Sequence, residues 1–276
     1  MSGTEAPPGA TLVNGEAGTT VSVHDRGLHY GDGLFETITC NAGRPRWLDR
    51  HLQRLARGAQ CLGLQVPPAA LLASEMAVLA AGHERCILKL ILTRGVGSRR
   101  GYRPSGDEQP TRVLGRYPWP VPVPGDFLVD LSPVPLGANA LLAGLKHLNR
   151  LEQVLAQQRA AAAGVHESLM CDAAGSVIAG SMSNLFVLQA DELLTPQIRD
   201  CGVAGVMRSL VIEVAPTLGL RVREVRLEPR FLLAVPALFL TNVRMGLQPV
   251  HCYLGRRLEP DPRVQRLQEL IDATVQ

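Results

Sequence analysis

Of the 28 basic residues in this chain only two, Lys89 and Lys146, are lysines. Lysine normally ranks among the commonest residues. A sequence that uses arginine wherever arginine suffices keeps lysine where amine chemistry is needed, because a guanidinium stays protonated. Lys146 lies in Leu145-Lys146-His147-Leu148-Asn149-Arg150-Leu151-Glu152-Gln153, between an apolar strand end and a helix. Partial burial there lowers an ammonium's pKa and gives a nucleophilic amine. By position alone it also reads as an ordinary surface lysine at an element junction. Lys89 alternates with Leu88 and Leu90 inside a strand and reads as an outward-pointing sheet lysine.

Three further stretches suit anions. Gly202-Val203-Ala204-Gly205-Val206-Met207-Arg208 runs through small residues into a helix. Its first backbone N–H groups and the positive helix end suit a phosphate, although a helix start that needs glycine looks the same. Arg54, on an amphipathic helix, has the fork geometry for a bidentate phosphate contact, or is a solvated charge. Arg94–Arg103 holds four arginines (Arg94, Arg99, Arg100, Arg103) among glycines. That loop suits a small dianion gripped through carboxylates, or is simply a charged surface loop.

The elements that must position these groups alternate in type. Thr11–Val13 and the Asn14-Gly15 turn open a hairpin, and Leu34–Cys40 is a strand. Leu52, Leu55, Ala59 and Leu62 recur at helical spacing over 49–62, with Asp49 as N-cap. Pro67-Pro68 starts a helix through Leu79, and Cys86–Thr93 is an apolar strand. Tyr117–Gly125 holds four prolines in nine residues, which reads as an extended linker because proline sits badly in a sheet. Beyond it come helices over 149–163, 206–218 and 262–274. Strands fall over 167–172, 184–188, 221–227 and 238–242. The fold class is α+β, with an N-terminal domain over 1–116, a linker over 117–125 and a C-terminal domain over 126–276 that carries Lys146.

Composition excludes other classes. The 276 residues are 46% hydrophobic with a net charge of +3, so there is no basic stripe for nucleic acid. No apolar run approaches the roughly 18 residues of a membrane span, and the N-terminus shows no secretory pattern. A cytoplasmic protein is expected. The six cysteines show no CxxC pair and no histidine at ligand spacing, so reduced thiols and no metal are expected.

Several motifs in order carry a resemblance. Asp25-Arg26-Gly27-Leu28-His29-Tyr30-Gly31-Asp32-Gly33-Leu34-Phe35-Glu36-Thr37, His51-Leu52-Gln53-Arg54-Leu55, Ser183-Asn184-Leu185-Phe186 and Gly205-Val206-Met207-Arg208 resemble the motifs of class IV pyridoxal-phosphate enzymes. This family includes branched-chain and D-amino-acid aminotransferases and 4-amino-4-deoxychorismate lyases. The likeness spans residues 10 to 272, and the Lys146 and Arg94–Tyr102 segments look specifically like the lyase branch. It implies a two-domain, D-amino-acid aminotransferase-like fold, a homodimer, and pyridoxal 5'-phosphate as cofactor. It further implies Lys146 as the cofactor-linking lysine, with Arg54 and the backbone N–H groups of Val206 and Met207 on the phosphate. Arg99, with Arg94 and Tyr102 on the same loop, would grip substrate, and Thr37 would relay a proton. The implied activity is the conversion of 4-amino-4-deoxychorismate to 4-aminobenzoate and pyruvate, a step towards folate. An aminotransferase and a non-catalytic member are the alternatives. The last follows from one departure: the family places a glutamate against the pyridine nitrogen, and this chain has Ala179 there. Without that carboxylate the electron sink is shallower, which aromatising elimination tolerates better than transamination.

Overall fold

A computed structural model describes residues 10–121 and 124–274. The chain forms two compact units. One comprises the described residues through Val121 together with Leu145–Asn149; the other comprises the rest.

In the first unit, β1 (Ala10–Val13) and β2 (Glu16–Ala17) form the expected hairpin. Its turn residues Asn14 and Gly15 both have positive φ, 54° and 93°, as a two-residue primed turn requires. A short helix α1 (Arg26–Tyr30) precedes β3 (Gly33–Asn41) and β4 (Arg44–Pro45). Helices α2 (Leu48–Leu62) and α3 (Ala69–Ala80) follow, then β5 (Arg85–Val96) and β6 (Gln109–Pro118). The sheet order is β2-β1-β6-β5-β3-β4. Strand alternation divides its faces. Leu34, Ile38 and Cys40 of β3 and Leu88, Leu90 and Leu92 of β5 share a core with Leu55 and Ala59 of α2 and Leu72 and Met76 of α3. Phe35, Thr37, Lys89 and Ile91 take the other face, where they are half-buried.

The second unit continues with β7 (Leu128–Leu131), α4 (Leu151–Ala163), β8 (Glu167–Cys171), β9 (Val177–Gly180), β10 (Asn184–Gln189) and β11 (Glu192–Pro196). It ends with α5 (Val206–Val214), β12 (Arg221–Val225), α6 (Pro229–Leu232), β13 (Ala237–Asn242), β14 (Gly246–Pro249), β15 (Cys252–Tyr253), β16 (Arg256–Arg257) and α7 (Pro262–Ala273). One sheet is ordered β12-β11-β10-β13-β14 and the other β16-β15-β7-β8-β9. The parallel pair β11–β12 is bridged by the crossover helix α5, as parallel pairing demands. Leu169, Leu185, Val187, Leu238, Leu240 and Tyr253 pack its main core.

Several sequence expectations change. Tyr117 and Pro118 finish β6, since proline is tolerated where a strand ends. Pro122 and Val123 of the expected linker lie outside the described residues. Asp49 sits within the first turn of α2; the cap position is Trp47 at φ 49°, with no side-chain cap. The helix over 206–218 becomes 3₁₀ from Ala215, where Pro216 removes a donor. Most consequential, residues 145–149 belong to the first unit, where they run beside β3, and not to the C-terminal one.

Candidate active site

In the first unit, the Lys146 segment is laid along the start of β3. Phe35 N donates to Lys146 O at 2.9 Å and Leu148 N to Gly33 O at 3.0 Å, and Leu34 bridges His147 antiparallel. Asn149 Nδ2 donates to Gly31 O at 3.2 Å. Gly31 has φ +63°, and a Cβ there would stand 2.5 Å from Asn149 Oδ1, so glycine is required on both counts. Lys146 is half-buried, with Nζ 4.3 Å from the centroid of the Phe35 ring, a cation–π distance. Lys89 takes the face opposite the core, as the alternation suggested, and is half-buried there. It pairs with Thr37 across β3–β5, and its Nζ lies 5.6 Å from the same ring. The only two lysines of the chain thus meet on one aromatic ring, with Thr37 on that face.

The core face carries a buried charged group that sequence reasoning passed over. Glu36 lies between Leu34 and Ile38 on β3 and is 1% exposed. Its carboxylate accepts from Arg54 Nε at 2.8 Å and Nη2 at 2.5 Å, and from His51 Nδ1 at 2.7 Å. His51 and Arg54, three residues apart, share one side of α2. Burial pushes the Glu36 carboxyl up, but the Arg54 charge and the hydrogen bonds of Arg54 and His51 outweigh it and hold its pKa at about 2. Burial lowers the pKa of His51 against the pull of Glu36, and the charges of Arg54 and Lys146 lower it further, so its imidazole is neutral. Arg54, expected as a phosphate ligand, therefore has two of its three nitrogens on a carboxylate. A glutamate alternating with core residues, opposite a helix bearing H-x-x-R, was the available signal, since a buried carboxylate needs partners.

The arginine loop is divided by the structure. Arg94 donates from Nε and Nη2 to Asp32 at 2.8 and 3.1 Å, and to the carbonyls of Gly63 and Leu62 at 2.8 and 2.7 Å. Those bonds tie β5 to α1 and α2, which corrects the expectation that Arg94 grips substrate. Arg99 and Arg100 are exposed, and Tyr102 is exposed with its ring 5.4 Å from that of Tyr30.

In the second unit, α5 begins at Val206 after Gly205, and no side chain caps it. The strand-like approach is pinned by Gly144 N to Gly202 O at 2.9 Å, Ala204 N to Gly144 O at 3.1 Å and Asn184 Nδ2 to Val203 O at 2.9 Å. A Cβ on Gly205 would stand 2.1 Å from Asn184 Oδ1, so Asn184 of the Ser183–Phe186 motif dictates glycine before the helix. Ala179 pairs with Met170 and is buried in an apolar cluster with Leu136, Ala156, Ile178 and Cys201. The buried carboxylate of Glu167 in the same sheet is engaged by Ser168 N, Ser181 N, Met182 N, Ser183 Oγ and Gln157 Nε2 at 3.0–3.2 Å. No helix among the described residues is long and apolar enough to cross a membrane.

The first unit thus sets the Lys146 segment and the Arg54-bearing helix α2 against β3, and the second unit separately presents the uncapped start of α5. Residues 33–253 match the amino-transferase class IV family. The chain belongs to that family, whose members use pyridoxal 5'-phosphate. It is similar to the solved 4-amino-4-deoxychorismate lyase of Pseudomonas aeruginosa, with a TM-score of 0.89, 37% identity and coverage of 96% of this chain and 98% of that one. It is 30% identical over 242 residues to the aminodeoxychorismate lyase of Vibrio harveyi, covering 86% of this chain and 89% of the relative. A putative branched-chain-amino-acid aminotransferase of Methanocaldococcus jannaschii is 32% identical over 249 residues, covering 87% and 85%.

Proposed function

We propose that this protein is a lyase that turns 4-amino-4-deoxychorismate into 4-aminobenzoate and pyruvate. The observation that carries the reading is the placement of Lys146, a half-buried amine over Phe35 on the face that also presents Thr37. The likeness to two lyases along nearly the whole chain supports it. On this reading Lys146 would link pyridoxal phosphate, and the family resemblance makes Arg54, beyond its bonds to Glu36, and the N–H groups of Val206 and Met207 the proposed phosphate donors.

When bound, that cofactor supplies an electron sink at the carbon bearing the substrate's amine. The chain's part is proton handling and binding. Lys146 Nζ takes the proton from C4 of the substrate as general base, and Thr37 Oγ1 passes a proton towards the departing enolpyruvyl oxygen. Arg99, with Tyr102 beside it, binds the substrate carboxylates. Ala179 presents no carboxylate to a pyridine nitrogen. The aromatic product makes elimination downhill, so this loss is better tolerated by a lyase than by a transaminase. The apolar row Leu151, Val154 and Leu155, exposed along one side of α4, supports a homodimer.

Product analysis tests the reading. Cofactor-loaded protein should release 4-aminobenzoate, and Lys146→Ala should abolish both turnover and the near-visible absorbance of the lysine-linked cofactor. If Lys89→Ala does this and Lys146→Ala does not, the assignment of the lysine is wrong. Formation of a keto acid from D- or branched-chain amino acids, without 4-aminobenzoate, would favour the aminotransferase suggested by the archaeal relative.

A further inference from the structure

The loop between β5 and β6 is exposed over most of its length, yet it is fastened at two points. At its base, Glu108 accepts from Ser105 N at 2.6 Å and Gly106 N at 3.0 Å. At its tip the fastening comes from a distant part of the chain. Arg26, the first residue of α1 and 5% exposed, donates from Nη1 to Gly101 O and from Nη2 to Tyr102 O, both at 2.8 Å. Its Nε donates to Asp32 Oδ2 at 2.9 Å. Asp32 also receives Arg94, so one carboxylate ties α1, the loop stem and the loop tip together. Tyr30 completes the clasp. Its ring lies 4.9 Å from Arg26 Cζ, and its hydroxyl accepts from Gly101 N at 3.3 Å.

This arrangement grips main-chain atoms. A guanidinium donating to two successive carbonyls fixes the direction of the backbone there, whatever side chains the loop bears. The two residues just before the grip are Arg99 and Arg100. We propose that Arg26 is a positioning residue for substrate recognition: it latches the loop tip so that Arg99 is presented in one orientation. The proposal rests on the reading above that Arg99 binds substrate, and it assigns a role to Asp25–Gly33, the motif that the chemistry itself leaves unused. Lysine is no substitute, because an ammonium is a point charge without the planar fork that spans two carbonyls.

Trypsin reports the latch independently of activity. The bonds after Arg99 and Arg100 are its targets, whereas Arg103 is followed by proline. In cofactor-loaded Arg26→Lys, cleavage after Arg99 and Arg100 should quicken about tenfold or more, as expected when charge-assisted bonds holding a segment are lost. KM should rise about five- to tenfold, while kcat and the cofactor absorbance stay at the wild-type level. Tyr30→Phe, which removes only the acceptor for Gly101 N, should move cleavage the same way by less, and it carries the test if Arg26→Lys does not fold. Wild-type cleavage and KM in both variants overturn the proposal, as does a fall in kcat and cofactor retention together with KM. Faster cleavage in variants of a protein that makes no 4-aminobenzoate would uphold the latch and overturn the lyase reading.

Discussion

Replacing Glu36 by glutamine keeps the shape of the side chain and removes its charge, leaving the Arg54 guanidinium buried opposite a neutral amide. The fall of the carboxyl pKa from 4.5 to about 2 corresponds to about 3 kcal/mol at ~1.36 kcal/mol per pKa unit. Breaking one side of a buried ion pair costs about 3–5 kcal/mol, so the two estimates agree. Glu36→Gln should lower Tm by roughly 6–12 °C at pH 7, taking about 2–4 °C per kcal/mol for a chain of this size. The pH dependence is more specific. A carboxyl depressed in the folded state contributes stability that is fully present above its unfolded value of 4.5 and is lost as pH falls towards about 2. The gap between wild type and variant should therefore narrow below pH 4.5. His51 acts in the other direction at milder pH. Its pKa is lowered from 6.5 by burial, so both proteins lose stability below 6.5, and the variant loses more because Glu36 no longer supports the charged imidazole. Urea unfolding of both proteins across pH 3 to 7 measures the difference. A variant as stable as wild type at pH 7 refutes the argument that the Glu36 charge is what holds Arg54 and His51.

Arg54→Ala should weaken cofactor retention on dialysis by about 1.5–3 kcal/mol, the worth of a hydrogen bond to a charged group; unchanged retention places the phosphate elsewhere. Arg99→Ala should lower kcat/KM with the cofactor spectrum intact, and wild-type kinetics would leave Arg99 a solvated charge. Ala179→Glu should raise lyase turnover or bring out side transamination if the ring nitrogen lies there. The apolar cluster around Ala179 opposes the larger residue by about 1–3 kcal/mol, so the variant's Tm is read alongside its products.

The long elements were legible because period and burial agree in them: β3, β5, α2 and α7 follow from alternation, 3.6-residue spacing and proline at a helix start. Lys146 was legible for a different reason, the rarity of its side-chain type. Strand β6 was not, because Pro110 and Pro118 at its ends mimic a break while its central residues still pair with β5. The membership of 145–149 in the first unit could not be read from local pattern, since it depends on hydrogen bonds to residues more than a hundred positions earlier. The same holds for Arg26 and Asn184, which reach main-chain carbonyls that leave no trace in side-chain spacing. Arg94 shows the converse. Charge density marked the loop correctly as cationic, but only the fold reveals which guanidiniums are consumed as ties and which remain on the surface.

Two ε-amines over one phenyl ring, in a chain with no others, make this face addressable by reagent chemistry. Reductive methylation, which spares thiols and phenols, modifies at most these two side chains of the intact protein beyond the α-amine. The mass added therefore counts accessible amines on this face, with no background from a lysine-rich surface. A cofactor joined to Lys146 would shield one of the two, so the label number becomes a direct gauge of occupancy, readable on a single mass spectrum without any turnover.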